Sequence, residues 1–183
     1  METLSLNQTK TKWVLDPTHS EIGFKVKHLM ISNVKGVFTS YEAAIDGEDF
    51  KTSPISVKID VASISTNNTD RDIHLKSADF FDAENYATIT FEGTSFTKVD
   101  DDEYQLKGLL TVRDISKEVV LDVAFGGINK DPWGNEKLAF EITGTINRKD
   151  WGLNYNSALE TGGVLIGEDV KISAEVQFVK QVS

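Results

Sequence analysis

Residues 16–38 read DPTHSEIGFKVKHLMISNVKGVF, and this stretch decides the fold. Apolar and polar side chains alternate along its first half, a period of two that is typical of a β-strand with one buried face. The residues on that face are Ile22, Phe24, Val26 and His28. A second alternating run places Val34, Gly36 and Phe38 on one face. Because only the short apolar step at residues 29–31 separates the two runs, we predict an antiparallel hairpin.

The same alternation recurs along most of the chain. Further strands are predicted around residues 57–61, 89–91, 104–112, 119–125, 138–146 and 170–178. Sustained helical periodicity is almost absent. A total of roughly eight to ten strands indicates an all-β domain. Antiparallel strands of similar spacing favour a closed barrel or a sandwich, since closure removes the exposed edges that invite aggregation. The pattern alone leaves a closed barrel and a sandwich open.

Composition and charge limit the classes of partner. The 183 residues suffice for one domain with a sizeable core, and the chain contains no cysteine. Its net charge of −10 repels nucleic acid and anionic membrane surfaces. No apolar run approaches the roughly 18 residues of a membrane-spanning helix, and the N-terminus lacks the pattern of an export signal. We therefore expect a cytoplasmic protein that neither binds nucleic acid nor inserts into membranes.

Side chains suited to catalysis or metal binding are scattered. His19, His28 and His74 lie far apart, and neither an H-x-x-x-H pair nor a G-x-S-x-G nucleophile elbow occurs. A lipid-processing enzyme built on these histidines is weakly supported, so no catalytic residue, metal site or cofactor is predicted. For His28, on an apolar strand face, the alternative to a site is a buried histidine that bonds backbone carbonyls.

Two segments interrupt the strand pattern. Residues 67–86 read NNTDRDIHLKSADFFDAENY, and Thr69 is predicted to cap a short helix there that crosses over or covers one end of the domain. On residue chemistry alone, its charged side chains form either a solvated helix face or part of a site. Residues 148–167 read RKDWGLNYNSALETGGVLIG, where Trp151 is either a core residue or a ligand contact.

Several strings resemble the YceI-like family, bacterial lipid-binding proteins with a lipocalin-like β-barrel. They include the opening stretch from WVLD at residue 13, RDIHLKSADFFD at 71–82, GLLTVRDISKEV at 108–119 and RKDWG at 148–152. The resemblance implies a single antiparallel barrel of about eight strands with a short helical lid. It implies a barrel domain at residues 13–180 after a flexible segment at 1–12. It also implies a bound long-chain lipid, such as a polyprenyl lipid, an isoprenoid quinone or a fatty amide.

In such a barrel the apolar strand faces would line a cavity. The predicted lining is Ile22, Phe24, Val26, Phe38, Ile59, Phe91, Phe140, Ile142 and Trp151. Inward-facing Gly36, Gly108 and Gly144 are predicted either to leave room or to mark bends. By resemblance the helical segment lies beside the entrance, and the residues predicted to form a polar mouth are His28, Arg71, Asp72 and His74.

A barrel with a filled core is the main alternative to a lipid carrier. Such a protein would act through its surface as a structural or stress-related interaction module, and no lipid-sized cavity would be found. A homodimer is compatible with either function.

Overall fold

The computed structural model of the protein describes residues 11–156 and 165–182. In chain order its strands are β1 (Thr11–Leu15), β2 (Glu21–His28), β3 (Ser32–Phe38), β4 (Tyr41–Ile45), β5 (Ile55–Asp60), β6 (Ile64–Ser65), β7 (Thr88–Asp100), β8 (Glu103–Val112), β9 (Ile115–Lys130), β10 (Glu136–Asn147) and β11 (Ile166–Val182). Helix α1 (Thr69–Lys76) lies between β6 and β7, and 3-10 turns cover Pro17–His19, Val61–Ser63 and Arg148–Trp151.

Antiparallel pairing closes these strands into an eight-stranded barrel within the described part of the chain. β1 and β2 follow one another along one side of β11 and both pair with it. β3 and β4 together occupy the next position of the barrel, because β3 pairs with β2 and β4 pairs with β1. The order then runs through β5, β7, β8, β9 and β10 back to β11. The prediction of an all-β antiparallel barrel is confirmed, and a sandwich is ruled out.

The hairpin predicted at the start of the chain is formed by β2 and β3. Its opposed pairs are Ile22 with Phe38, Phe24 with Gly36 and Val26 with Val34. Directly opposed residues share one face of a sheet, so the apolar members of both strands point into the barrel together. The register of this hairpin therefore sets which face of each neighbouring strand is inside.

The barrel is slightly longer than the predicted domain. β1 begins at Thr11, and Thr11 and Lys12 pair with Val182 and Gln181 of β11. These two residues therefore belong to the barrel rather than to the flexible segment predicted at residues 1–12. Residues 1–10 of that segment lie outside the described residues.

The two ends of the barrel differ. The lid end carries the β2–β3 turn, residues 61–87 with α1 (the lid segment) and the Arg148–Trp151 turn. The plug end carries the β4–β5 loop, whose Phe50 is 5% exposed. The Phe50 ring centroid lies 4.8–6.2 Å from those of Phe96, Tyr104, Phe125 and Phe140. Because Phe50 and these rings pack closely across the barrel, aromatic side chains close this end.

Asp16 anchors the turn between β1 and β2. One oxygen of its carboxylate accepts hydrogen bonds from the Thr18 backbone N–H (3.1 Å) and hydroxyl (2.7 Å). The other oxygen lies 2.8 Å from Nδ1 of His19 and 3.4 Å from Nζ of Lys137. These contacts, the Thr18 hydroxyl bond first, hold the pKa of Asp16 well below its ordinary value.

Asp16→Asn is expected to destabilise the barrel by about 1 kcal/mol near neutral pH, because hydrogen bonds to a charged carboxylate stabilise a protein by about that much more than bonds to a neutral amide. A carboxyl whose pKa is lowered by folding stabilises the protein above the unfolded-state pKa, and this contribution is lost as the pH falls. The difference in the free energy of unfolding between parent and variant should therefore shrink below about pH 4. Urea unfolding across this range measures it, with the fully exposed Asp101→Asn as a control. A difference that stayed constant with pH would contradict the assignment.

Candidate functional site

A cavity of about 250 Å³ lies inside the barrel. Its wall receives side chains from all eight strands of the barrel and from Leu75, Phe80 and Phe81 of the lid segment. Among the described wall residues, Arg148 is the only one with a charged side chain, and almost no polar surface faces the cavity. The barrel is therefore hollow, with an apolar interior.

All nine residues predicted to line a cavity lie on this wall. That they contact a ligand stays a prediction. They are Ile22, Phe24, Val26, Phe38, Ile59, Phe91, Phe140, Ile142 and Trp151. Several, such as Phe24 and Ile142, are only half-buried although they point inward. They pack against the buried core on one side and border the cavity on the other.

The prediction omitted many wall residues. From the strands these include Phe96, Leu106, Val119, Leu121, Ile172, Ala174 and Phe178. Most of these strand residues belong to alternating runs of the kind that identified β2, so the same signal was present in the sequence. Phe80 and Phe81 carry no such signal, because they lie in an irregular segment that only the fold brings over the cavity.

The three inward glycines make room for neighbouring side chains rather than for a ligand. A Cβ at Gly36 would lie 2.4 Å from the Phe24 ring, and one at Gly108 would lie 2.4 Å from the Phe91 ring. A Cβ at Gly144 would lie 2.5 Å from Cδ2 of Leu121. The prediction that these glycines leave free space is corrected: Phe24, Phe91 and Leu121 already occupy it. This packing is the pairing of glycine with a large residue on a neighbouring strand.

Arg148 is buried at the lid end, with 4% of its surface exposed. Its guanidinium donates to four backbone carbonyls, those of Gly167 (2.8 Å), Leu153 (2.5 Å), Tyr155 (3.0 Å) and Ile166 (3.3 Å). Burial lowers the pKa of Arg148 from its ordinary value. Since its hydrogen bonds go to the segment after β10 and to the start of β11, this arginine ties those two parts of the chain together.

Arg71 and Asp72 fix the start of the lid helix. Arg71 donates from Nε and Nη2 to the hydroxyl and carbonyl of Thr66, each at 2.8 Å. Asp72 accepts from the Thr66 N–H (2.9 Å) and hydroxyl (2.6 Å). Neither side chain is on the cavity wall, so their predicted place in a polar mouth stays a prediction. The helix is capped by Asn68, which accepts from the Arg71 N–H, and not by Thr69 as predicted.

The two predicted mouth histidines lie at the lid end. The His74 ring packs edge-on against Phe80 and Tyr155, with centroids 5.1 and 4.8 Å away, and its Nε2 lies 2.8 Å from Oδ2 of Asp79. It thereby links the lid segment to the residues that follow Trp151. His28 is half-buried at the end of β2, one inward position beyond Val26.

The chemistry of the wall is limited to apolar contact. Its described residues offer no carboxylate, histidine or hydroxyl that could act as an acid, base or nucleophile. In the described ranges no three His, Cys, Asp or Glu side chains are placed to hold a metal ion. No helix in the same ranges is long and apolar enough to cross a membrane.

Comparison with known proteins gives one consistent result. The sequence matches the YceI-like domain over residues 13–178. A UPF0312 protein of Staphylococcus aureus strain N315 is 43% identical over 171 residues, which cover 92% of this chain and 97% of the relative. The crystal structure of the Campylobacter jejuni YceI protein is 37% identical, with a TM-score of 0.73 and coverage of 91% of this chain and 96% of that one.

A more distant structure has the same fold. A polyisoprenoid binding domain from Saccharophagus degradans, implicated in plant cell wall breakdown, superposes with a TM-score of 0.71. It covers 92% of this chain and 98% of its own, at 13% identity. At that identity the likeness concerns the fold alone.

Proposed function

This chain belongs to the YceI-like family, and from that premise we propose that it binds one long-chain isoprenoid or related lipid, without catalysis, inside its barrel. The observation that carries the proposal is the apolar wall of the cavity, which suits a hydrocarbon and little else. The Saccharophagus degradans domain is named for binding a polyisoprenoid, so the shared fold is compatible with a ligand of this class.

The hydrocarbon tail supplies enough energy for tight binding. At about 0.8 kcal/mol per buried CH₂, a chain of some 20 carbons offers on the order of 16 kcal/mol before the costs of immobilisation and ordering. The cavity volume of about 250 Å³ lies near the lower end of ligand pockets, which span about 300 to 1,000 Å³. A slender, flexible chain therefore suits it better than a fused ring system.

The head group is proposed to be neutral or weakly charged. The described wall exposes almost no polar surface, so a polar head has to remain at the lid end, outside the apolar part of the cavity. The net charge of −10 offers no general attraction to a diphosphate. Arg148 is occupied by backbone carbonyls and does not present a free anion site to the cavity. An isoprenoid quinone or a fatty amide fits these conditions.

Native mass spectrometry of the purified protein tests the proposal. We expect one adduct per chain with the mass of a lipid of about 20 or more carbons, or uptake of one such chain from a mixture of lengths. Organic extraction then identifies the head group, and a polyprenyl diphosphate would contradict a neutral head. A protein that carries and takes up no chain would favour the alternative of a surface interaction module.

A further inference from the structure

The β2–β3 turn at the lid end exposes three consecutive apolar side chains. Leu29 is 43% exposed, Met30 53% and Ile31 84%. The Leu29 N–H donates to the carbonyl of Leu165 (2.9 Å), the residue before Ile166 on the cavity wall. The apolar turn therefore stands directly beside the end of the cavity that the lid segment covers.

Folding alone does not favour these residues in the turn. Leu29 and Met30 have φ values of 55° and 66°, and the Ile31 N–H donates to the His28 carbonyl at 3.3 Å. Two successive residues with positive φ are a feature shared with type I′ turns, in which Asn followed by Gly is the preferred pair because both residues adopt this conformation readily. Large apolar side chains are disfavoured there by backbone sterics, and their exposure to water costs further free energy.

A row of lysines lies on the outer barrel surface below the turn. Lys35 opposes Lys25 across β3 and β2, and Lys25 opposes Lys171 across β2 and β11. Lys27 lies two positions nearer the turn on the same outer face. Opposed like charges destabilise a sheet. Within the described residues, the lysines that form ion pairs are Lys98, Lys137, Lys149 and Lys180, none of which belongs to the row.

We propose that the apolar turn and the lysine row together dock the lid end of the barrel on an anionic lipid bilayer, where the ligand enters or leaves. The loading role rests on the proposed function. At about 3.3 Å per residue, Lys27 lies about 7 Å and Lys25 about 13 Å behind Leu29. An apolar turn buried about 5 to 10 Å deep would thus bring the flexible lysine side chains to the lipid headgroups.

The negative net charge does not prevent this docking. Charges are screened over about 8 Å at physiological ionic strength, so the groups nearest the membrane dominate. Each lysine near an anionic surface strengthens binding by about five-fold. Two carboxylates lie close to the lysine row on β11. Glu168 is paired with Lys149 at 2.7 Å. Exposed Asp169, two positions before Lys171 on the same face, offsets one of the four positive charges. The repulsion expected from a charge of −10 describes the average surface, whereas the proposed docking uses the one face of β2, β3 and β11 that carries the lysine row.

Flotation with phosphatidylcholine vesicles, with and without phosphatidylglycerol, tests the proposal. The parent should float with the anionic vesicles, less so as salt is raised. The double variant Leu29→Asn/Met30→Gly should lose about ten-fold or more of this binding while melting no lower than the parent, since Asn-Gly suits the turn. Lys25→Gln and Lys35→Gln should each weaken binding about five-fold.

Trp133→Ser is the matched control, because Trp133 is 83% exposed on the β9–β10 turn at the plug end. It should float like the parent. The proposal is overturned if the parent does not float with anionic vesicles. It is also overturned if the Leu29→Asn/Met30→Gly double variant (the Asn-Gly variant) binds them as well as the parent does. A parent dimer that dissociates in that variant, without vesicle binding, would instead assign the turn to a second copy of the chain.

Uptake of a long chain delivered in ethanol separates this proposal from the proposed function. The Asn-Gly variant should take up the chain as the parent does, because the cavity wall is unchanged. A parent that floats through its turn but takes up no chain would refute lipid carriage and leave the docking in place.

Discussion

Gly144→Phe is expected to lower the affinity for a long-chain lipid by about a hundred-fold while the barrel stays folded. A Cβ at this position would lie 2.5 Å from Cδ2 of Leu121, the flexible end of a cavity-wall side chain. Both the new ring and the displaced leucine would therefore enter the cavity. If they exclude about four methylenes of the ligand, the loss is about 3 kcal/mol, which is about a hundred-fold in Kd.

Thr143→Phe is the matched control, since Thr143 is the exposed neighbour on the outer face of β10. It adds the same ring to the same strand and should leave lipid binding unchanged. Overpacking at Gly144 costs about 1 to 3 kcal/mol, within the roughly 5 to 15 kcal/mol available to such a domain. Thermal melts check folding, and a folded Gly144→Phe protein that bound long chains like the parent would refute the cavity assignment.

Arg148→Ala is expected to destabilise the protein by about 3 to 5 kcal/mol. The substitution removes one buried guanidinium that donates to four backbone carbonyls, of which that of Ile166 keeps another donor, Nδ2 of Asn156 at 2.7 Å. Each buried carbonyl left unpaired costs about 1 to 3 kcal/mol, part of which water can recover. For a domain of this size, the melting temperature should fall on the order of 10 °C.

Two variants make this test specific. Lys149→Ala removes the adjacent positive charge, which is exposed and paired with Glu168 at 2.7 Å, and should cost less than about 1 kcal/mol. Arg148→Lys should not restore stability, because an ammonium cannot reproduce the planar set of guanidinium donors. An Arg148→Ala protein that melted within about a degree of the parent would show that these carbonyls find other partners.

The sequence was informative wherever the deciding interaction is local. Alternation with a period of two reports the burial of one strand face, so Phe24, Val26, Phe140 and Ile142 could be placed inside the barrel before their neighbours were known. The same holds for the β2–β3 hairpin, whose two strands are joined by a turn of only a few residues. Longer family strings added the barrel and the expectation of a lipid ligand.

Contacts between residues far apart in the chain could not be derived in this way. Nothing near Gly144 in the sequence indicates that Leu121 fills its space, and nothing near Arg148 indicates four carbonyl partners. The lysine row likewise depends on the pairing of β2 with β11, which brings Lys25 beside Lys171.

The alternating pattern and the family strings thus determined the strand faces and an apolar interior, because burial acts on each residue's own side chain. Only the tertiary structure decided what shapes that interior and what surrounds it. Phe50 closes one end because a loop folds back onto four aromatic rings from β7, β8, β9 and β10. The distribution of charge is a second example. The composition sets the net charge at −10, whereas the register of the strands decides which lysines lie side by side, and screening limits the electrostatic attraction of a surface to such nearby charges.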